Sequence, residues 1–261
     1  MARAIGLKLF AALAAAIIVL PVIAVIPVAF SAHSYARLPP EAWSLRWWAA
    51  FFADPTWFAA LIVSLEVAVL SAVACIVLGT SAALGMNRLP PVARKLLAGV
   101  FLGPIIAPAI VLAVGLYSLA RSVGLVGSLL GLVIAHTMLA MPYAVLNIGV
   151  SLAALDPRLA LAAAGLGADR WRIFRTITLP LILPGIAGGA VFAFVTSFDE
   201  VVLAIFLSGP QVKTLPVRIW EEIRVEYTPV VAVAATIMIV LAITGAALGR
   251  LLGRVRQEAR A

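Results

Sequence analysis

Apolar positions along this chain come in six long blocks: Leu7–Phe30, Phe58–Leu84, Leu96–Leu119, Leu125–Leu152, Pro180–Leu207 and Val230–Leu252. Each is long enough to cross a bilayer as a helix, which takes about 20 residues. The third and fourth are separated only by Ala120–Gly124. Between the fourth and fifth blocks, residues 153–179 change pattern. LALAAAG is a strong helix former, Gly165 and Gly167 break it, and ADRWRIFRTI follows with Ile173, Phe174, Ile177 and Leu181 on one face and Arg172 and Arg175 on the other. The segment reads as helix, glycine turn, helix against the inner membrane face. Between the fifth and sixth blocks, VRIWEEIRVEY reads as a short amphipathic helix at the outer surface or as a solvated loop with interface anchors.

Composition narrows the class. With 64% hydrophobic and 11% charged residues and a mean hydropathy of +1.16, the chain is not an ordinary soluble domain. The first block exceeds the roughly 7–15 apolar residues of a signal-peptide core, so it reads as a retained span. The net charge of +8 suggests nucleic acid until it is mapped. In a six-span chain both termini share one side. Thirteen of the 19 basic residues fall there, from Arg3 and Lys8 to Arg260, and six, including Arg37, fall on the other. The positive-inside rule assigns that excess to topology, with both termini cytoplasmic. The single cysteine, Cys75, lies inside the second block, where it reads as a small buried residue, and no metal-ligand cluster stands out.

The chemistry concentrates in FAFVTSFDEVVLAIF, Phe192–Phe206, where Asp199 and Glu200 sit side by side in an apolar run. A charge at mid-bilayer costs about 2.5–3.5 kcal/mol. Every Lys and Arg from the second span to the end of the fifth lies in a loop, leaving water, a partner subunit, protonation or a cationic cargo as compensators. Counted along the spans, Glu66 falls about as deep in the outer half and His136 somewhat deeper, so three carboxylates are expected to form a layer there. On a continuous helix Asp199 and Glu200 point about 100° apart. Glu200 would then share a face with Gly189, Ala193, Thr196, Ser197 and Ala204. Asp199, Glu200, Glu66, His136 and Thr196 are the candidate pathway residues, and purely structural roles stay open for each. Pro104, Pro108 and Pro142 read as kinks.

From Leu161 the loop reads LAAAGLGADRWRIFRTITLP. This resembles the signature of permease subunits of binding-protein-dependent ABC importers, with Ala162, Ala163, Gly167, Ile177, Leu179 and Pro180 in register and Leu161 where a glutamate usually stands. SLRWWAAFFADPTW, AHTMLAMPY and SFDEVVLAIFLSGPQVKTLPVRIWEEIR extend the likeness to the spermidine/putrescine type. The resemblance implies an all-α membrane protein of six transmembrane helices, a single type I ABC importer transmembrane domain over residues 1–261. It implies that Ala162, Ala163, Gly165, Gly167, Ala168, Asp169 and Trp171 form a loop that docks into a separate ATP-hydrolysing subunit. Implied partners are a second permease, two cytoplasmic ATP-binding subunits, an external or periplasmic substrate-binding protein and membrane lipid, with no nucleic acid. The implied location is the bacterial inner membrane.

ATP and Mg belong to the partner, and this chain is expected to bind no cofactor and to be no enzyme; it carries no GxxxxGK[ST] sequence. The implied cargo is a small organic cation, with opines, aminophosphonates, iron or thiamine as alternatives within the class. Polyamine-type relatives often carry an acid where Ala109 stands here. A self-contained ion-coupled transporter using the buried acids is the reading from another class.

Overall fold

The computed structural model describes residues 2–35 and 38–258; Arg37 and Arg260 of the charge balance lie outside them. The elements are α1 (Ala2–Val28), α2 (Arg46–Ala53), α3 (Pro55–Met86), α4 (Pro91–Ile106), α5 (Ala109–Ser122), α6 (Leu129–Ala153), α7 (Pro157–Gly165), α8 (Arg170–Ile173), a π-helical turn (Phe174–Thr178), α9 (Leu179–Phe198), α10 (Val202–Leu207), α11 (Leu215–Val225) and α12 (Val230–Glu258). Among the described residues, five helical runs are long and apolar enough to cross a membrane, and the bent pair α4–α5 makes a sixth if counted as one span.

Local chemistry sets the helix starts. Asp54 caps α3 by accepting from the Thr56 N–H at 2.8 Å, with Pro55 at the first helical position. Ser128 caps α6 by accepting from the Gly131 N–H at 3.0 Å. At the centre, α3, α6 and α9 pack together, and α12 flanks α9. Small residues permit the approach, as membrane helices require where no hydrophobic force drives them together. A Cβ at Gly189 would sit 3.1 Å from the Ala144 Cα, and one at Gly185 would lie 2.6 Å from the Asn147 carbonyl oxygen. On the other side of α9, Val191 presses against Gly249 of α12.

The third apolar block is not one helix. It divides at Ala107–Pro108, and α4 and α5 are bent by 103°. Pro108 has no N–H and pushes Ala107 into extended backbone (ψ 138°), so the helical ladder stops there. The fifth block is interrupted as well: α9 stops at Phe198, and α10 begins at Val202. Their outer halves meet, since α5 packs against α10 around Ala113, Leu203, Ala204 and Leu207. In contrast, Pro142 sits within an unbroken α6.

The helix expected ahead of the fifth span merges with it. α8, the π turn and α9 form one helical run of 29 residues, Arg170–Phe198. Helix α11 is amphipathic, the helical one of the two readings of its sequence. Lys213 pairs with its Glu221 (2.8 Å) and Arg218 with Glu222 one turn on (3.2 Å), Arg218 lies 4.9 Å over the Trp57 ring, and Leu215, Val217 and Ile219 pack on the core. Trp220 and Ile223 are left exposed. Cys75 is buried against α6, its Sγ 3.4 Å from the Thr137 carbonyl oxygen.

Candidate functional site

The two carboxylates flank the end of α9, and the break separates their fates. Asp199 is the C-cap residue (φ −96°, ψ 1°), its N–H donating to the Val195 carbonyl. Glu200 turns back onto α10. Its Oε1 accepts from the Val202 N–H at 2.9 Å and the Leu203 N–H at 3.0 Å, and its Oε2 from the Ala204 N–H at 3.1 Å. The first N–H groups of any helix lack intrahelical partners, and in a membrane such orphans cost several kcal/mol. The partial positive charge of the helix start also favours an anion. Glu200 therefore offsets the cost of the break, and the break offsets the cost of burying Glu200.

This corrects one expectation. Asp199 and Glu200 are not successive residues of one continuous helix. Glu200 is 8% exposed and held inside the fold. Its compensator is backbone N–H, a source the reading of an unbroken span had excluded. An acid immediately ahead of an apolar run is a helix-start signal, and it stood in the sequence at Glu200–Leu207.

His136 of α6 locks onto the same break. Its Nδ1 lies 2.8 Å from Ser197 Oγ and 3.0 Å from the Ser197 carbonyl oxygen, and its Nε2 lies 3.9 Å from Glu200 Oε2. The Ser197 carbonyl falls in the last turn of α9, where acceptors have no N–H four residues on. When Nδ1–H donates to that carbonyl, the Nε2 lone pair faces the carboxylate. When the Ser197 hydroxyl donates to Nδ1, Nε2–H points toward Glu200. The trio has the residue types of a hydrolytic triad, but Ser197, His136 and Glu200 are 3%, 1% and 8% exposed. Glu200 is already held by three N–H groups. The arrangement ties α6 to the break and presents no surface to a scissile bond.

Asp199 is exposed, and among the described residues no Lys or Arg of this chain pairs with it. Thr196, one turn earlier, is half-buried. Glu66 is exposed on α3, and among the described residues no hydrogen bond or ion pair joins it to Asp199 or Glu200. Of the five predicted pathway residues, the structure brings His136 and Glu200 together inside the fold. It leaves Asp199 and Glu66 on outward faces.

The 153–179 segment is built as a self-contained hairpin. Asp156 caps α7 through the Arg158 N–H (2.9 Å), and Asp169 caps α8 through the Arg172 N–H (2.7 Å). Between them Gly167 adopts φ +83°, which favours glycine. The Ala168 N–H then reaches back to the Ala163 carbonyl at 3.0 Å, closing α7 in a Schellman-type turn. Ala162, Gly165, Gly167 and Asp169 are exposed, and Ala163 and Ala168 are half-buried. Leu161 (71%), Leu166 (90%) and Trp171 (66%) present apolar surface outward.

The same architecture recurs in known proteins. Residues 75–257 match the family described as binding-protein-dependent transport system inner membrane component. The chain is 32% identical over 235 residues to the spermidine/putrescine transport system permease protein PotC of Haemophilus influenzae, covering 90% of this chain and 91% of that one. It is 31% identical over 204 residues to the putrescine transport system permease protein PotI of Escherichia coli K12, covering 76% and 73%. In fold it resembles a chain of a bacterial ABC transporter that imports the acidic polysaccharide alginate (TM-score 0.73, 16% identity, 95% of each chain). It also resembles a chain of the inward-facing MetNI methionine ABC transporter (TM-score 0.64, 17% identity, 78% of this chain and 99% of that one). By its family match and its likeness to these permeases, the chain belongs to the inner membrane components of binding-protein-dependent transport systems.

Proposed function

We propose that this chain is one of two permease subunits lining the pathway of an ATP-driven importer, and that its cargo is a small organic cation of the polyamine class. The observation that carries the cargo is Asp199: an exposed carboxylate at the end of a membrane helix, with no cation of its own chain beside it among the described residues. In hydrocarbon such a group calls for a positive partner or water. A cationic cargo supplies the first and travels in the second. The names of the 32% and 31% identical relatives support the same class.

Both termini and the α7–α8 hairpin lie on the cytoplasmic side in this reading, following the positive-inside balance. Leu161, Leu166 and Trp171 project from that hairpin and would be costly in water, so they seat in a groove of a separate ATPase subunit, which holds the ATP and Mg. An external binding protein delivers cargo to the opposite face. Motion enters through the hairpin and shifts the spans between two rigid arrangements.

The test is uptake by the complete importer in proteoliposomes. Asp199→Asn is expected to lower putrescine uptake by about tenfold or more, as loss of one partner of a desolvated charge pair does. Undiminished uptake by that variant removes Asp199 from the pathway. Separately, Gly167→Val is expected to uncouple ATP hydrolysis from uptake, because a β-branched residue cannot hold φ +83° without strain.

A further inference from the structure

The face of α9 that bears Asp199 continues inward without another acid. Along α6 and α9 the carboxylates end at Asp199 and the adjoining Glu200, and Glu200 is sealed into the fold. Further inward stands a stacked aromatic pair. The rings of Tyr143 on α6 and Phe192 on α9 lie 6.1 Å apart at 11°, and Phe192 is 53% exposed. Phe192, Thr196 and Asp199 stand at i, i+4 and i+7, one side of the helix. That side is away from α12: Phe194, two residues on, is the aromatic that closes on Gly245.

One turn further in, Asn147 faces Gly188, with its Oδ1 3.2 Å from where a Cβ would stand, and Asn147 and Ser151 line an open cavity of about 320 Å³. An aromatic pair flanked by an acid on one side and an amide and a hydroxyl on the other is not a lipid-facing pattern. Lipid contact needs none of those polar groups.

We infer that the exposed face of the Tyr143–Phe192 pair is a cation–π station for the ammonium groups of the cargo, the next stop inward after Asp199. The inference rests on the organic-cation reading above. An ammonium over a ring face within about 6 Å is attracted by the ring quadrupole, more strongly where water is excluded. The ring lies seven residues from Asp199, about 10 Å along the helix. A flexible diamine can therefore keep one ammonium near the acid while the other settles on the ring, and never passes through hydrocarbon with both charges bare. Asn147 and Ser151 supply acceptor oxygens for the next step.

The experiment measures uptake of radiolabelled putrescine by the complete importer in proteoliposomes. Phe192→Leu and Tyr143→Leu keep bulk and lose the ring; each is expected to raise KM about 2- to 30-fold, the range of a cation–π contact. Phe192→Tyr and Tyr143→Phe are expected to stay close to wild type. A second arm places mono-, di- and trifluorophenylalanine at 192, which drains the ring face of negative charge with little change of size. KM should climb with each fluorine. A flat KM across that series, with the wild-type importer active, overturns the station and leaves the cargo reading intact. A wild-type importer that takes up no putrescine overturns the cargo reading, and the station with it.

Discussion

Two spans of this protein are interrupted, and the interruptions are opposites. At Ala107–Pro108 a proline makes the break, and no side chain caps α5 beyond it. Ile106 is 80% exposed and Ile110 58%. At Asp199–Val201 no proline is present. Glu200 is buried and satisfies three N–H groups, and His136 takes up the last turn of α9. One break is made by removing a donor, the other by supplying an acceptor. The first needs no capping side chain, and the packing of α5 on α10 holds its angle. The second exists only while its acid is in place, and it fixes where the neighbouring Asp199 points.

Substitutions can break that contrast. The largest effect is expected for Glu200→Ala, which orphans three donors, two of them buried, and should lower stability by about 3 kcal/mol or more, read as the thermal midpoint of the detergent-purified complex. Wild-type stability in that variant would mean that the cap is not needed. Asp199→Asn should stay within about 0.5 kcal/mol of wild type in the same assay, because its side chain is exposed. Neighbouring acids would then separate cleanly, one failing in stability and the other in uptake.

Pro108→Ala returns the missing N–H. It should shift stability by less than about 1 kcal/mol while slowing amide exchange from Ala107 to Val111 as the helices join. Asp54 provides a cap in water for scale, and Asp54→Ala is expected to cost about 1 kcal/mol. Burial alone would raise the Asp54 carboxyl. The hydrogen bonds from the Thr56 hydroxyl and N–H and the charge of Arg218 outweigh it, so the group titrates below its ordinary value. A depressed folded-state value means that the cap contributes fully above the unfolded aspartate range. That contribution is lost as pH falls through the folded value. Asp54→Asn should flatten this acid-side dependence in a melting series.

Much of the architecture is legible in the chain itself. The second apolar block, Phe58–Leu84, lies within α3, and the glycine turn at Gly167 separates the short α7 from the run that starts at Arg170. The breaks are harder because hydropathy is blind to them. Val201–Leu207 is as apolar as the helix before it, so a short non-helical stretch leaves no trace in the pattern. Pro108 is visible as a kink, but a turn of 103° depends on α5 finding a partner in α10. The direction of Glu200 follows from the break, so an unbroken span sends it to the wrong face. Phe192 and Tyr143 leave no signature as a pair because their stacking joins positions 49 residues apart.

The uninterrupted rod from Arg170 to Phe198 has a consequence in rotation rather than translation. Its π turn sets the phase between the α7–α8 hairpin at one end and the carboxylate at the other. One residue inserted or deleted between Leu181 and Val191 would swing Asp199 about 100° around the axis while leaving the hairpin's own contacts untouched. In the importer proposed above, a chain altered in that way keeps its hairpin intact and turns a shaft whose far end no longer faces the road.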